Sequence, residues 1–254
     1  MHRFFLPPER IHDNQVTFTE AIARQMTQVL RLKPDVLVTV LDGLGKEYRV
    51  RLTDLTAKTA EGNVEAEGEA GGEPQTRLSL YLCLTQREKF EWMLQKCTEV
   101  GASRFVPVLS SRSLVQDARE VANKYERWRR ILQEAAEQSQ RGRVPVLEAP
   151  LRFDEAVKHA AQMDACWLIP WEEEKSVSLK QALQGNRARE VILLIGPEGG
   201  FSAEEVRLAQ TGGFKAVTLG ERILRMETAA VVASALVLYE RGEMDGGLKQ
   251  TAGK

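Results

Sequence analysis

Two different spacings of apolar residues divide the chain. In the first part they alternate. Tyr48, Val50 and Leu52 interleave with Glu47, Arg49 and Arg51, the period of a strand with one buried face. Val36–Leu41 is a β-branched run that ends at Asp42-Gly43, a hairpin turn signal. His2–Leu6 and Val64–Glu67 add short strands, and Glu20–Leu30 reads as a helix between them. These elements predict a small β-barrel-like domain over residues 1–72. Glu61–Glu73 carries Glu61, Glu65, Glu67, Glu69 and Glu73, no basic residue, and Gly71-Gly72. That stretch reads as an acidic segment that closes the domain or links it to the next.

Beyond about residue 76 the spacing changes. Short apolar runs occur at Leu78–Leu84, Phe105–Leu109, Val144–Leu147, Cys166–Ile169, Val191–Ile195 and Ala216–Leu219. Helical spacings fall between them. Val121, Tyr125, Trp128, Leu132 and Ala135 mark one helix face. Strand–helix alternation with nearly continuous apolar strands predicts an α/β domain built on a buried parallel sheet over residues 73–254. The Gly-rich tail after about residue 242 is expected to be unstructured. Ala229–Leu238 has almost no polar side chain, so that helix must be covered on all sides, by the core or by a second subunit.

Two strand-to-helix turns stand out, because ligands of open α/β sheets bind outside the carboxyl ends of strands. The first is Ile195-Gly-Pro-Glu-Gly-Gly-Phe201-Ser202, in which Ser202 and Glu205 form a capping box. It is neither GxGxxG nor a P-loop. The alternative for this loop is a plain tight turn. The second is Leu219-Gly-Glu-Arg-Ile-Leu-Arg225, whose apolar residues suit an adenine ring. Its alternative is an ordinary lead into a core helix.

Composition limits the possibilities. The chain has 254 residues, 43% hydrophobic and 28% charged, with a formal net charge of −1. The balance argues against a generic polyanion binder and leaves room for local basic faces. Residues 86–143 hold 12 Lys or Arg against 8 acids, and residues 1–60 hold 9 against 7. No run of about 18 apolar residues occurs that would span a membrane, and the apolar stretch of Met1–Pro7 is too short for a secretory signal. Cys83, Cys97 and Cys166 form no CxxC and read as reduced core thiols of a cytoplasmic protein. Three unpaired His offer no metal-ligand set, so no metal is expected.

Seven segments now combine. Met1-His-Arg-Phe-Phe, Val29-Leu-Arg31, Gln95-Lys-Cys-Thr-Glu-Val-Gly101, Ser111-Arg-Ser113, Glu134-Ala-Ala-Glu-Gln-Ser-Gln-Arg141, Ile195–Phe201 and Leu219-Gly-Glu-Arg-Ile-Leu-Arg-Met-Glu-Thr-Ala229 follow in order. The series resembles the ribosomal RNA small subunit methyltransferase E family over about residues 1–242. Gln25 and Pro34-Asp35 depart from the family pattern, both in the N-terminal part.

The resemblance implies an N-terminal PUA-like β-barrel and a C-terminal SPOUT-type parallel sheet with a trefoil knot, acting as a homodimer. It implies methyl transfer from S-adenosyl-L-methionine to N3 of a uridine in 16S ribosomal RNA, within the small ribosomal subunit. Cofactor-binding residues are then expected at Leu168, Pro170, Leu194, Gly196, Pro197, Glu198, Gly199, Gly200, Leu219, Gly220, Ile223, Leu224, Arg225 and Thr228. Arg112 and Arg225 are expected to stabilise charge on the uracil oxygens. Glu198 or Glu227 is expected as base. RNA contacts are expected from Arg3, Arg31, Lys89, Lys96, Arg112 and Arg141. A ribosome-associated RNA-binding protein without catalysis, or a nucleotide-binding dehydrogenase, would be the alternative; the missing GxGxxG opposes the latter.

Overall fold

The computed structural model describes residues 1–115, 121 and 123–245. The glycine-rich tail from residue 246 and Arg119 of the basic count lie outside them. The chain forms two compact units, one of Met1–Glu73 with Gln133–Val144, the other of Pro74–Leu132 with the chain from Pro145 on.

The first unit is built on strands β1 (Arg3–Phe5), β2 (Ile11–His12), β3 (Gln15–Thr17), β4 (Leu37–Leu41), β5 (Lys46–Leu55) and β6 (Ala60–Glu69). They lie in the order β1-β4-β5-β6-β3-β2. All neighbours are antiparallel except β1 and β4. Asp42 shapes the predicted β4–β5 turn, its Oδ1 accepting the N–H groups of Leu44 at 2.7 Å and Lys46 at 3.0 Å. Register shifts at Arg49/Val50 and Leu52/Asp54 bend β5 against β6. Gly62 permits the close crossing there, since a Cβ on it would lie 2.5 Å from Val50 Cγ1 and 2.7 Å from the Arg51 carbonyl oxygen. The curled sheet encloses Phe4, Leu6, Val16, Phe18, Val38, Val40, Val50 and Leu52. Helix α1 (Glu20–Arg24), capped by Thr19, continues as a π-helical turn, Gln25–Val29, and buries Ala23 and Met26.

The acidic segment closes the first unit as a strand longer than the predicted Val64–Glu67: it is largely β6. Two of its alternate glutamates face cations on β5: Lys46 pairs with Glu67 at 3.3 Å, and Arg51 pairs with Glu65 and also with Asp35 of the turn before β4. Cross-strand charge pairs and the ladder outweigh the poor strand propensity of Glu and Gly.

The second unit is a seven-stranded parallel sheet. Its strands are β7 (Arg77–Cys83), β8 (Arg104–Leu109), β9 (Val146–Leu147), β10 (Leu151–Arg152), β11 (Ala165–Pro170), β12 (Glu190–Ile195) and β13 (Lys215–Val217). The order is β10-β8-β7-β12-β11-β13, with β9 also on β8. The central strands are buried from Leu78 to Cys83 and from Glu190 to Ile195, as their largely apolar runs require. The helices are α2 (Arg87–Val100), α3 (Tyr125–Gln138), α4 (Phe153–Ala160), α5 (Leu179–Leu183), α6 (Ala203–Thr211) and α7 (Met226–Glu240). Helix α3 runs from this unit into the returning segment of the first. On α3, Trp128 and Leu132 are buried as the periodicity predicts, and Trp128 packs on Phe90 of α2 at 4.5 Å between ring centres. All three cysteines are buried, which pushes their thiols up from the ordinary range.

Helix α7 packs on α2 and α5 but is covered on one side only. Ala230, Ala233, Ser234, Val237 and Leu238 are buried, whereas Val232 and Ala235 are half-buried and Leu236 and Tyr239 exposed. No helix of the described residues is long and apolar enough to cross a membrane.

Candidate functional site

The carboxyl ends of β11, β12 and β13 converge on one cavity of about 330 Å³. Its wall is made from the three segments that follow those strands. Pro170, Trp171 and Glu172 come from the first, Gly196, Pro197, Glu198, Gly200 and Phe201 from the second, and Thr218–Gly220 and Arg222–Arg225 from the third. Lys89 of α2 and Met226, Glu227 and Ala229 of α7 complete it.

The glycine-bearing turn keeps its shape for local reasons. Gly200 has φ +68°, and a Cβ there would lie 2.5 Å from Glu172 Oε1, so a side chain would meet both strain and a neighbour. The predicted capping box is present: Ser202 Oγ accepts the Glu205 N–H at 3.2 Å, and Glu205 Oε2 accepts the Ser202 N–H at 2.9 Å. Arg112, in the turn after β8, donates from Nη1 to the Gly199 carbonyl at 2.8 Å.

Charge in the cavity is mixed. Glu198 accepts from Lys89 Nζ at 2.8 Å and Thr85 Oγ1 at 2.9 Å. Those bonds, Lys89 first and then Thr85, hold its carboxyl below the ordinary carboxylate value. A carboxylate kept ionised this way is a poorer proton acceptor. Glu227 differs. Its Oε2 is buried and has no hydrogen-bond partner among the described residues. Arg225 N-caps α7 with its extended main chain and has an exposed side chain.

The structure brings most of the expected cofactor residues together: Pro170, Gly196, Pro197, Glu198, Gly200, Leu219, Gly220, Ile223, Leu224 and Arg225 all line the cavity. Four do not. Leu168 and Leu194 are fully buried within β11 and β12, where sheet packing takes their side chains. Gly199 meets Arg112 through its carbonyl, and Thr228 is an exposed residue of α7. Trp171 and Arg222 also line the cavity, within the strand-end loops Leu168–Trp171 and Leu219–Thr228 expected to form it; Trp171 follows its strand directly, the usual position for a ligand-facing residue. Glu172, one residue further on, lies outside those loops, and nothing local marked it.

The expected RNA contacts are placed unequally. Arg31 is exposed, with φ +52°. Arg3 pairs with Glu47 at 3.3 Å, Lys89 with Glu198, and Lys96 with Glu99 at 2.8 Å. Arg141 does not match the expectation. It is 2% exposed, and its Nε and Nη2 donate to the two oxygens of Glu73 at 3.1 and 2.7 Å. Glu73 also accepts the N–H groups of Gly142 and Arg143 at 3.1 Å. Burial and this bidentate pairing make Arg141 a structural residue with no face left for a phosphate.

The cavity fits an adenosine-bearing sulfonium. Leu219, Ile223 and Leu224 supply apolar surface, with Ile223 85% exposed. The N–H groups of Ile223, Leu224 and Arg225 make no main-chain hydrogen bond within the described residues. The unpartnered Glu227 oxygen adds an acceptor on the same wall. Among the described residues no group of three or more His, Cys, Asp or Glu is placed to hold a metal.

Known proteins agree with this geometry. The family model of the RNA methyltransferase domain matches residues 72–238. A ribosomal RNA small subunit methyltransferase E from Synechocystis is 38% identical over 237 residues, 93% of this chain and 77% of that protein. The enzyme of that name from Mesomycoplasma hyopneumoniae is 30% identical over 91% of this chain and 96% of its own length. The crystal structure of the Neisseria gonorrhoeae enzyme bound to S-adenosyl methionine superposes with a TM-score of 0.82 at 32% identity, covering 94% of this chain and 97% of that one. A methyltransferase from Legionella pneumophila in complex with the same cofactor gives 0.79 at 27% identity, covering 93% and 96%. Matched in sequence over both units and in backbone over nearly its whole length, the chain belongs to the ribosomal RNA small subunit methyltransferase E family.

Proposed function

We propose that this protein transfers the methyl group of S-adenosyl-L-methionine to N3 of a uridine in 16S ribosomal RNA, with the small ribosomal subunit as substrate. The observation that carries the reading is the cavity at the ends of β11–β13, whose glycine loop is held by Arg112 through the Gly199 carbonyl. The relatives that carry the cofactor support it. The cofactor supplies an electrophilic methyl group; the protein must hold it and the base in line.

Leu219, Ile223 and Leu224 flank the adenine, and the N–H groups of Ile223 and Arg225 read its edge. Arg112 and Arg225 face the uracil oxygens, where negative charge grows as the N3 proton leaves. Glu227 receives that proton, since its free oxygen is an acceptor without a donor. Glu198, pinned by Lys89 and Thr85, keeps the glycine loop attached to α2 and orients rather than titrates.

In this reading the first unit is a PUA-like barrel that docks RNA through Arg3 and Arg31. The second is a SPOUT-type domain with a trefoil knot, to which Lys89, Lys96 and Arg112 add positive charge. The enzyme works in the cytoplasm as a homodimer. The uncovered side of α7, with Val232, Ala235, Leu236 and Tyr239, supplies the motive for pairing: apolar surface of this kind is removed from water by a second copy.

The test is to incubate labelled S-adenosylmethionine with small subunits from a strain lacking the activity, then digest the RNA and locate the methyl group. Label at uridine N3 is the expected result. Binding without incorporation would favour a non-catalytic RNA-binding protein, and label on another base would overturn the assignment.

A further inference from the structure

We propose that Glu205 is a positioning residue for methyl transfer: its one carboxylate fixes the turn that carries Arg112 against the loop that shapes the cavity. The inference rests on the reading of Arg112 as the group that stabilises charge on the uracil.

Glu205 stands in the first turn of α6 and is 8% exposed. Its Oε2 accepts the Ser202 N–H, which is all that a capping box asks of it. Its Oε1 does something else. It accepts the main-chain N–H of Ser111 at 2.8 Å, from the turn after β8. Ser111 immediately precedes Arg112, and Ser202 follows Gly199 by three residues. The two loops are therefore joined twice, by the buried carboxylate and by the exposed Arg112–Gly199 bond.

The tether can act at a distance of one residue because the turn is stiff. The Ser113 N–H donates to the Ser110 carbonyl at 3.1 Å, the Ser110 N–H donates to Ser113 Oγ at 3.1 Å, and the two hydroxyls lie 2.9 Å apart. Bonds from N–H groups to a buried carboxylate are strong, whereas an exposed guanidinium–carbonyl bond contributes little net stability. Glu205 thus holds the turn, and Arg112 inherits its place. Glutamate suits the task chemically: two N–H donors need two acceptor oxygens, and a glutamine would set its NH₂ against one of them.

The test uses the full chain, small subunits as substrate and single-turnover methylation, with E205Q, R112A, their double variant and S202A. E205Q is expected to slow transfer by about tenfold to a hundredfold while S-adenosylmethionine affinity stays unchanged. The double variant is expected to be no slower than R112A, because both remove the same interaction. S202A loses only the cap on the Glu205 N–H; it should melt at a lower temperature and transfer at the parental rate. Amide hydrogen exchange at Ser111 should accelerate in E205Q, with Phe105–Val108 of β8 unchanged. A parental rate in E205Q, or a loss in the double variant equal to the product of the single losses, would overturn the proposal. If R112A keeps its full rate, the reading of Arg112 falls; unaltered Ser111 exchange in E205Q would then overturn the tether as well. Should E205Q fail to fold, E205D, which keeps the charge but is too short to reach both N–H groups, gives the same comparison.

Discussion

Glu73 and Arg141 form a buried, two-pronged ion pair, at 3.1 and 2.7 Å, that joins the end of the first chain segment to the segment that returns to it. The Arg141 side chain is 3% exposed and that of Glu73 19%. Removing Glu73 takes a two-oxygen acceptor away from a guanidinium held out of water, a loss of about 3 kcal/mol. Urea unfolding of E73A should therefore shift to a clearly lower midpoint. Equal midpoints for E73A and the parent would show that the pair is not structural.

The cavity wall predicts cofactor affinity. A Gly199→Val, Leu224→Asp double variant sets bulk beside Arg112, whose Cδ lies 3.6 Å from a Cβ at Gly199, and a charge on the apolar wall. Calorimetry should show S-adenosylmethionine binding weakened by at least tenfold, about 1.4 kcal/mol. Unchanged affinity would remove these loops from the binding site.

The sign of the Glu198 shift predicts a pH response. Its folded carboxyl sits below the ordinary value of 4.5, held there first by Lys89 and then by Thr85. The unfolded chain therefore takes up this proton first. The stabilisation is complete above about 4.5 and is lost as pH falls through the lower folded value. Glu198 consequently gives no acid limb in kcat/KM above pH 5, and E198Q should lower the rate without moving the limb. A limb that disappears in E198Q would restore Glu198 as the base, and one that disappears in E227Q would support Glu227.

RNA affinity should fall steeply with salt in spite of a net charge of −1. R31A should reduce the slope of log K against log salt by about 1. K96A should change it less, because Lys96 is already paired with Glu99 in its own helix. Equal slopes for all three proteins would remove Arg31 from the RNA contact.

The half-covered side of α7 predicts assembly. L236E places a charge on an exposed apolar position, and sedimentation should report a monomer for the variant against a dimer for the parent. A dimer in both would move the interface elsewhere.

Much of the fold was legible because period and burial coincide. The alternation around Val50, the hairpin turn at Asp42 and the apolar runs of β7 and β12 all became the elements they suggest. The predicted strand Val64–Glu67 fell short of the ten residues of β6 because Glu65 and Glu67 pair with Arg51 and Lys46 across the ladder, which composition does not display. Arg141 misled for a related reason: an arginine just past a helix end looks solvated until Glu73, 68 residues away, is placed beside it. At the site, the glycine turns were readable because each follows an apolar strand. The second bond of Glu205 was not, since a capping box accounts for a glutamate there and gives no cause to look for another donor.

The division of the first unit into Met1–Glu73 and Gln133–Val144 also bears on biosynthesis. When Glu73 leaves the ribosome, Arg141 does not yet exist as part of the chain. At about 5–20 residues per second, the remaining stretch takes roughly 4–14 s to make. Through that interval the nascent chain holds an unpaired glutamate and a sheet without Ala136 and Val144, which pack with Phe5 and Leu41. The order of synthesis therefore cannot be the order of completion: the first unit to emerge must wait for its own last segment, made only after Pro74–Leu132 of the second.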